Sequence, residues 1–157
     1  MELRSATLND SLIIFNLRND LDTRKNSFVT DEIPYEEHKH WFEKSLDTKT
    51  RKILIAYENE VLVGVIRLDL MNDNEAVISI NIDPSLRQKG YAKKILCEIE
   101  SYTTSWNNEI KILTALIKPS NIASIKLFNK SGYAMVSENK EEIIMHKELR
   151  GDCLDWI

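Results

Sequence analysis

The stretch from Glu75 to Cys97, EAVISINIDPSLRQKGYAKKILC, constrains this chain more than any other. It opens as a strand. Ala76, Ile78, Ile80 and Ile82 alternate with Val77, Ser79, Asn81 and Asp83, and β-branched residues dominate. Asp83-Pro84 closes the strand, because proline brings no N–H to a ladder and holds its predecessor extended. Arg87, Gly90 and Ala92 follow in the spacing R-x-x-G-x-A. Tyr91, Ile95, Leu96, Ile99 and Tyr102 then fall on one side of a helix. A strand, a basic turn and a helix start in this order suit a diphosphate. The first-turn amides point at the anion, Gly90 lets the backbone approach, and Arg87, Lys89 and Lys93 add charge. The spacing is not a Walker loop, which needs G-K-[ST], nor a dinucleotide fingerprint, which needs more glycines.

A second block lies about thirty residues downstream: Asn121-Ile-Ala-Ser124-Ile-Lys-Leu127-Phe128-Asn-Lys-Ser-Gly132-Tyr133. Pro119-Ser120-Asn121 start a helix and Gly132 stops it. The first block, Ile80-Asn81-Ile82-Asp83-Pro84 followed by Arg87-x-x-Gly90-x-Ala92, resembles the acyl-CoA-binding motif of the GNAT N-acetyltransferase superfamily. The second resembles that superfamily's later N-x-x-[AS]-x-x-L-[YF]-x-x-x-G-[FY] helix. The resemblance runs from Arg4 to about Glu148. The N-terminal half is most similar to acetyltransferases of nucleotide-linked amino sugars, as in pseudaminic-acid-type pathways. That similarity rests on Arg18, Arg24, Ser27-Phe28, Ile33 and Glu37-His38-Lys39-His40-Trp41-Phe42.

The resemblance implies an α/β fold of the acyl-CoA N-acyltransferase type: a mixed, mostly antiparallel sheet of six to seven strands with about four helices on both faces. One domain is expected over residues 1–149, with a tail over 150–157. It also implies acetyl-CoA as the acyl carrier. Coenzyme A would lie beside Ile80, Asn81 and Ile82 like an added strand, with its diphosphate on Arg87, Gln88, Lys89, Gly90, Tyr91, Ala92 and Lys93. Asn121, Ser124 and Phe128 of the second block would contribute further contacts; Asn121 also reads as a helix cap. A bulge near Asn81 would free a backbone N–H for the oxyanion that forms as a primary amine attacks.

Here the chain departs from the family pattern. The tyrosine that often serves as general acid is Phe128, and the positions of a base glutamate are Ala76 and Leu116. The catalytic candidates that remain are Asn81, Ser79, Asp69 and His38. Ser79 and Asn81 give an apolar strand one polar face, which needs partners. Asp69, in Arg67-x-Asp69, reads more readily as a strand-edge polar residue than as a base. His38 and His40 are two apart on a helix and cannot share a face, and a lone helical histidine is more often structural. The expected reaction is acetyl transfer to a small-molecule amine, with a nucleotide sugar as the leading acceptor. The alternatives are acetylation of protein N-termini or another small amine, and an inactive acyl-CoA-binding module.

Composition narrows the partners. With 157 residues, 43% hydrophobic and 29% charged, the chain reads as one soluble globular domain with a substantial core. A net charge of −4 argues against a general nucleic-acid binder. There is no apolar run of the ~20 residues that a membrane span needs. Met1-Glu2-Leu3-Arg4 leads straight into polar sequence, so no leader is expected and the reading is cytoplasmic, as monomer or homodimer. Cys97 and Cys153 have no metal spacing and read as reduced thiols; no metal is expected.

The other elements follow from pattern. Strands are expected over 2–6, 52–57, 61–70, 110–118, 133–137 and 142–147, and helices over 12–19 and 35–46. Residues 21–34 read as polar and irregular. Gly64, mid-strand, weakens packing unless a close neighbour requires it.

Overall fold

The computed structural model describes residues 1–150. Among the described residues, seven strands, β1 (Glu2–Ser5), β2 (Arg51–Glu58), β3 (Val61–Asn72), β4 (Glu75–Ile82), β5 (Ile112–Ile117), β6 (Ala134–Glu138) and β7 (Ile143–Glu148), hydrogen-bond in the order β1-β2-β3-β4-β5-β7-β6. The chain divides into two compact units, Met1–Asp69 with Ser79–Tyr91, and Leu70–Ile78 with the residues from Ala92 onward. Strands β3 (Val61–Asn72) and β4 (Glu75–Ile82) pass from one to the other.

In the first unit, β1 (Glu2–Ser5) pairs antiparallel with β2 (Arg51–Glu58), and β2 with β3. The β2–β3 turn places both Asn59 (φ 50°) and Glu60 (φ 66°) in the left-handed region. That is the two-residue hairpin turn whose twist matches its strands. Helices α1 (Ser11–Asn19), α2 (Leu21–Lys25) and α3 (Tyr35–Leu46) complete the unit. Its core holds Ala6, Ile14, Leu17, Phe42, Ile53, Ile55 and Val65, with Trp41, Leu46, Tyr57 and Leu62 packed against it. Buried Asp10 receives two bonds from the Arg4 guanidinium, at 2.9 and 2.8 Å, and one from the Thr7 amide at 2.8 Å.

Helix α2 corrects the expectation of an irregular segment after Leu21. Asp20 accepts from the Thr23 amide at 3.1 Å and caps this short helix. The stretch is too short to display a helical period.

In the second unit, helix α4 begins at Tyr91 and ends at Trp106, burying Ile95, Leu96, Ile99 and Thr103 along one stripe. Strand β5 (Ile112–Ile117) pairs parallel with the start of β4 and antiparallel with β7 (Ile143–Glu148), which also carries β6 (Ala134–Glu138). Helix α5 (Ile122–Lys130) ends at Gly132, whose φ of +89° suits glycine. Leu113, Ala115, Ile117, Phe128, Tyr133, Ile143 and Met145 are buried. Cys97 is a free, exposed thiol. Cys153 and the tail from Gly151 lie outside the described residues.

Candidate active site

The second half of β4 lies beyond the β5 ladder. The parallel register of β4 with β5 covers Glu75↔Ile112, Ala76↔Leu113 and Val77↔Thr114 and, among the described residues, ends there. Ser79, Ile80, Asn81 and Ile82 lie beyond it. Ala76 and Ile78 are buried, whereas Ser79 to Ile82 are each half-buried. A strand edge outside a ladder carries backbone donors and acceptors that an extended ligand can use.

Gly64 explains how this half of β4 is set. A Cβ built on Gly64 would press on the Asn81 carbonyl oxygen closer than real Cβ atoms come, and would lie 3.2 Å from the Ile82 Cα. The glycine is therefore required by the approach of Asn81, which the sequence alone could not identify. The Asp83 amide donates to the Val63 carbonyl at 2.8 Å and ties the strand end to β3.

The turn that follows is built for left-handed backbone. Asp83 caps a single 3-10 turn over Pro84–Leu86, accepting from the Ser85 amide at 2.9 Å. Gln88 (φ 61°) and Gly90 (φ +82°) then flank Lys89 in the left-handed region. Backbone of this kind gathers successive N–H groups into an anion-binding concavity. Among the described residues, the amides of Gln88, Lys89 and Gly90 donate to no backbone carbonyl. A Cβ at Gly90 would meet nothing within 4 Å, so the space above it is open. Gln88, Lys89 and Gly90 are exposed, and Tyr91 and Ala92 half-buried. Lys93, in the first turn of α4, is exposed.

Arg87 serves this turn differently from a free cation. Its guanidinium donates to Asp20 at 2.8 Å and to the Thr23 hydroxyl at 3.0 Å, and its Nε donates to the Ile82 carbonyl at 3.2 Å. Asp22 lies 3.5 Å away. Burial would raise the Asp20 pKa, but the bonds from Arg87 and from the Thr23 amide outweigh it and hold the carboxyl below its ordinary value. Arg87 thus clamps the turn to the start of α2, and Asp20 is a residue that pattern reading missed.

His38 sits in the core, 2% exposed, ringed by Phe15, Trp41 and Phe42. Its Nε2 donates to the Ser11 carbonyl at 3.2 Å, which fixes the neutral tautomer. Burial, with some help from the Arg18 charge, lowers its pKa. These contacts make it a packing residue. Asp69 is engaged on both oxygens: Arg51 Nε donates to Oδ1 at 2.5 Å, and Arg67 Nε lies 2.7 Å from Oδ2. These ion pairs tie Asp69 to residues of β2 and β3. Ser79 and Asn81 are the two catalytic candidates that share the half-buried part of β4.

In the second unit, Asn121 caps α5, accepting from the Ser124 amide at 3.2 Å. Phe128 is buried edge-to-face against Tyr133, with ring centroids 4.9 Å apart. The Tyr133 hydroxyl is buried and, among the described residues, has no hydrogen-bond partner. Burial first, and the Glu100 charge second, push its pKa up.

The sequence profile of the Acetyltransferase (GNAT) family matches residues 15–133. The chain belongs to this family. The acetyltransferase is 25% identical over 130 residues to Acetyltransferase PseH of Campylobacter jejuni, a match that covers 82% of this chain and 80% of that protein. Over 80 residues it is 38% identical to L-2,4-diaminobutyric acid acetyltransferase of Halalkalibacterium halodurans, covering 49% of this chain and 41% of that one. Spermidine N-acetyltransferase from Vibrio cholerae, crystallised with CoA and spermine, has the same fold: TM-score 0.84 at 17% identity, over 94% of this chain and 95% of that chain. This acetyltransferase is therefore an acetyl-CoA-dependent enzyme of N-acetyl transfer, with the seven-stranded fold of its family. Among the described residues, no helix is long and apolar enough to cross a membrane.

Proposed function

We propose that this acetyltransferase moves an acetyl group from acetyl-CoA to the primary amine of a nucleotide-linked amino sugar, by direct attack in a ternary complex. The observation that carries the cofactor half of the reading is the Ser79–Ile82 edge of β4, outside the β5 ladder and followed by a left-handed turn with open space above Gly90. Residues of this kind fit an extended pantetheine chain and a diphosphate. Ile80, Asn81 and Ile82 would hold the chain through their backbone. Gln88, Lys89, Gly90, Tyr91 and Ala92 would receive the diphosphate through amides, with Lys89 and Lys93 supplying charge and Arg87 holding the turn in shape.

The thioester supplies an activated acyl group. A β4 amide near Asn81, freed by a bulge, would donate to the carbonyl oxygen as negative charge develops there, and Ser79 would help orient the acceptor. Phe128 has no proton to give. A thiol pKa near ~8.5 makes the thiolate a fair leaving group without one. General-acid help is typically worth about 10²–10⁴-fold, so its absence slows the enzyme without abolishing the reaction. The amino-sugar acceptor is supported by the resemblance of the N-terminal half and by the match to PseH.

Thiol release from acetyl-CoA, measured over a panel of nucleotide amino sugars, diamines, amino acids and peptide N-termini, tests the reading. The expected result is highest kcat/KM with a nucleotide amino sugar. A preference for peptides or simple diamines contradicts the acceptor. If no amine of the panel releases thiol while acetyl-CoA still binds, only an acyl-CoA-binding module is left.

A further inference from the structure

In the first unit, Arg18, Arg24, Arg51 and Arg67 outnumber the carboxylates paired with them. Arg18, on α1, donates from Nη2 to the Val29 carbonyl at 2.9 Å. Its Nη1 is buried and, among the described residues, has no hydrogen-bond partner. Burial first, and the positive charges of Arg67 and Arg24 after it, make the charged form of Arg18 costly. Arg24 donates from Nε to the Asn19 carbonyl at 3.2 Å and, among the described residues, has no ion-pair partner. Arg67 shares the single carboxylate of Asp69 with Arg51, and both guanidinium groups lie over the Trp41 ring, at 5.8 and 5.3 Å. With Arg87 included, five guanidinium groups face the three carboxylates Asp69, Asp20 and Asp22, an excess of two positive charges in a chain whose net charge is −4. Of the nearby acids, Asp20 pairs with Arg87 at 2.8 Å, and Asp22 lies 3.5 Å from it. An unpartnered, buried guanidinium nitrogen among like charges is costly unless an anion joins it.

We propose that Arg18, Arg24 and Arg67 form an oxyanion subsite that holds a carboxylate or phosphate group carried by the amine acceptor. Planar guanidinium groups bind either group through paired, charge-assisted hydrogen bonds. Arg24 also lines an open cleft of about 400 Å³ with Leu21, Asp22, Lys25 and Thr30, which gives room for the body of such a molecule. The subsite selects acceptors whose amine and anion belong to one molecule and rejects uncharged amines and polyamines. It rests on the reading of the protein as an amine acetyltransferase.

Two measurements on the full chain separate the subsite from that reading. The first is calorimetric binding of inorganic pyrophosphate and of malonate to protein saturated with coenzyme A, so that the cofactor's own anion site is filled. One anion is expected to bind, and Arg18→Met and Arg24→Gln should each weaken it at least about tenfold, the loss expected for a charge-assisted bond. The second is kcat/KM for acceptors that differ only by the anion: glucosamine 1-phosphate against glucosamine, and L-2,4-diaminobutyrate against 1,3-diaminopropane. The phosphate pair and the carboxylate pair distinguish the two sources of the oxyanion. An anionic partner favoured at least about tenfold, with the preference lost in Arg18→Met while KM for acetyl-CoA is kept, supports the subsite. No anion binding, or binding unchanged in both variants, overturns it. Anion binding that depends on Arg18, with no amine acetylated, upholds the subsite and contradicts the acetyltransferase reading instead.

Discussion

Arg87 and Asp20, 67 residues apart in sequence, meet in an ion pair at 2.8 Å that joins the turn after β4 to the start of α2. Arg87 therefore acts on the turn through its shape. Asp20→Asn and Arg87→Ala are each expected to raise KM for acetyl-CoA. The double variant should be no worse than the poorer single one, because both remove the same contact. Steady-state kinetics check this. If Asp20→Asn leaves KM unchanged while Arg87→Ala raises it, Arg87 binds the diphosphate independently of the clamp. Asp20→Ala, which removes the cap as well as the ion pair, should also cost about 1 kcal/mol of stability, read by urea denaturation, whereas Asn keeps the cap.

Gly64→Ala places a methyl group against the Asn81 carbonyl. The strand must shift, and a cost of about 1–3 kcal/mol is expected, as for overpacking in general. Because Asn81 belongs to the proposed oxyanion-stabilising stretch, kcat should fall more than KM for acetyl-CoA rises. A fall in stability with kcat intact would separate Gly64 from the chemistry.

Tyr133→Phe removes a buried hydroxyl that has no partner among the described residues. The raised pKa keeps that hydroxyl protonated across the working range, so a proton-donor role needs its own test. The variant is expected to be as stable as the parent or more stable, by up to about 1 kcal/mol, with kcat unchanged. A large drop in kcat at full stability would make Tyr133 the acid that Phe128 cannot be.

Stability should depend on pH in two windows. Burial lowers the His38 pKa, so the unfolded chain takes up a proton at that site before the folded one. Stability is then lost as pH falls below about 6.5. His38→Gln should flatten that part of the curve. The bonds from Arg4 hold the Asp10 carboxyl below its ordinary value, against the opposing effect of burial. Its contribution is present above the unfolded pKa of about 3.9 and vanishes as pH falls through the folded one. Urea denaturation from pH 3 to 8 measures both windows; a flat response between about pH 6.5 and 5 in the parent contradicts the core placement of His38.

Where a period is long enough, the sequence predicted these elements well. Ala76 to Ile82 alternate over a whole strand, α3 follows its helical spacing over Tyr35–Leu46, and Gly132 ends α5 as its position implies. Positions fixed by distant partners were not legible. Leu21–Lys25 became a helix because Asp20 caps it and Arg87 holds the cap. Gly64 looked out of place in its strand, yet its reason is the Asn81 carbonyl on another strand. Composition could show that Arg87 and Asp69 are charged, but not that each is already engaged. The helical register of His38 did not reveal the aromatic ring of neighbours that buries it.

Amide hydrogen exchange with and without coenzyme A tests the central claim most directly. The account predicts slowed exchange at Ile80, Asn81 and Ile82 and at Gln88, Lys89 and Gly90, the edge and the turn that receive the pantetheine chain and the diphosphate. Saturating coenzyme A with no slowing in either segment would contradict it.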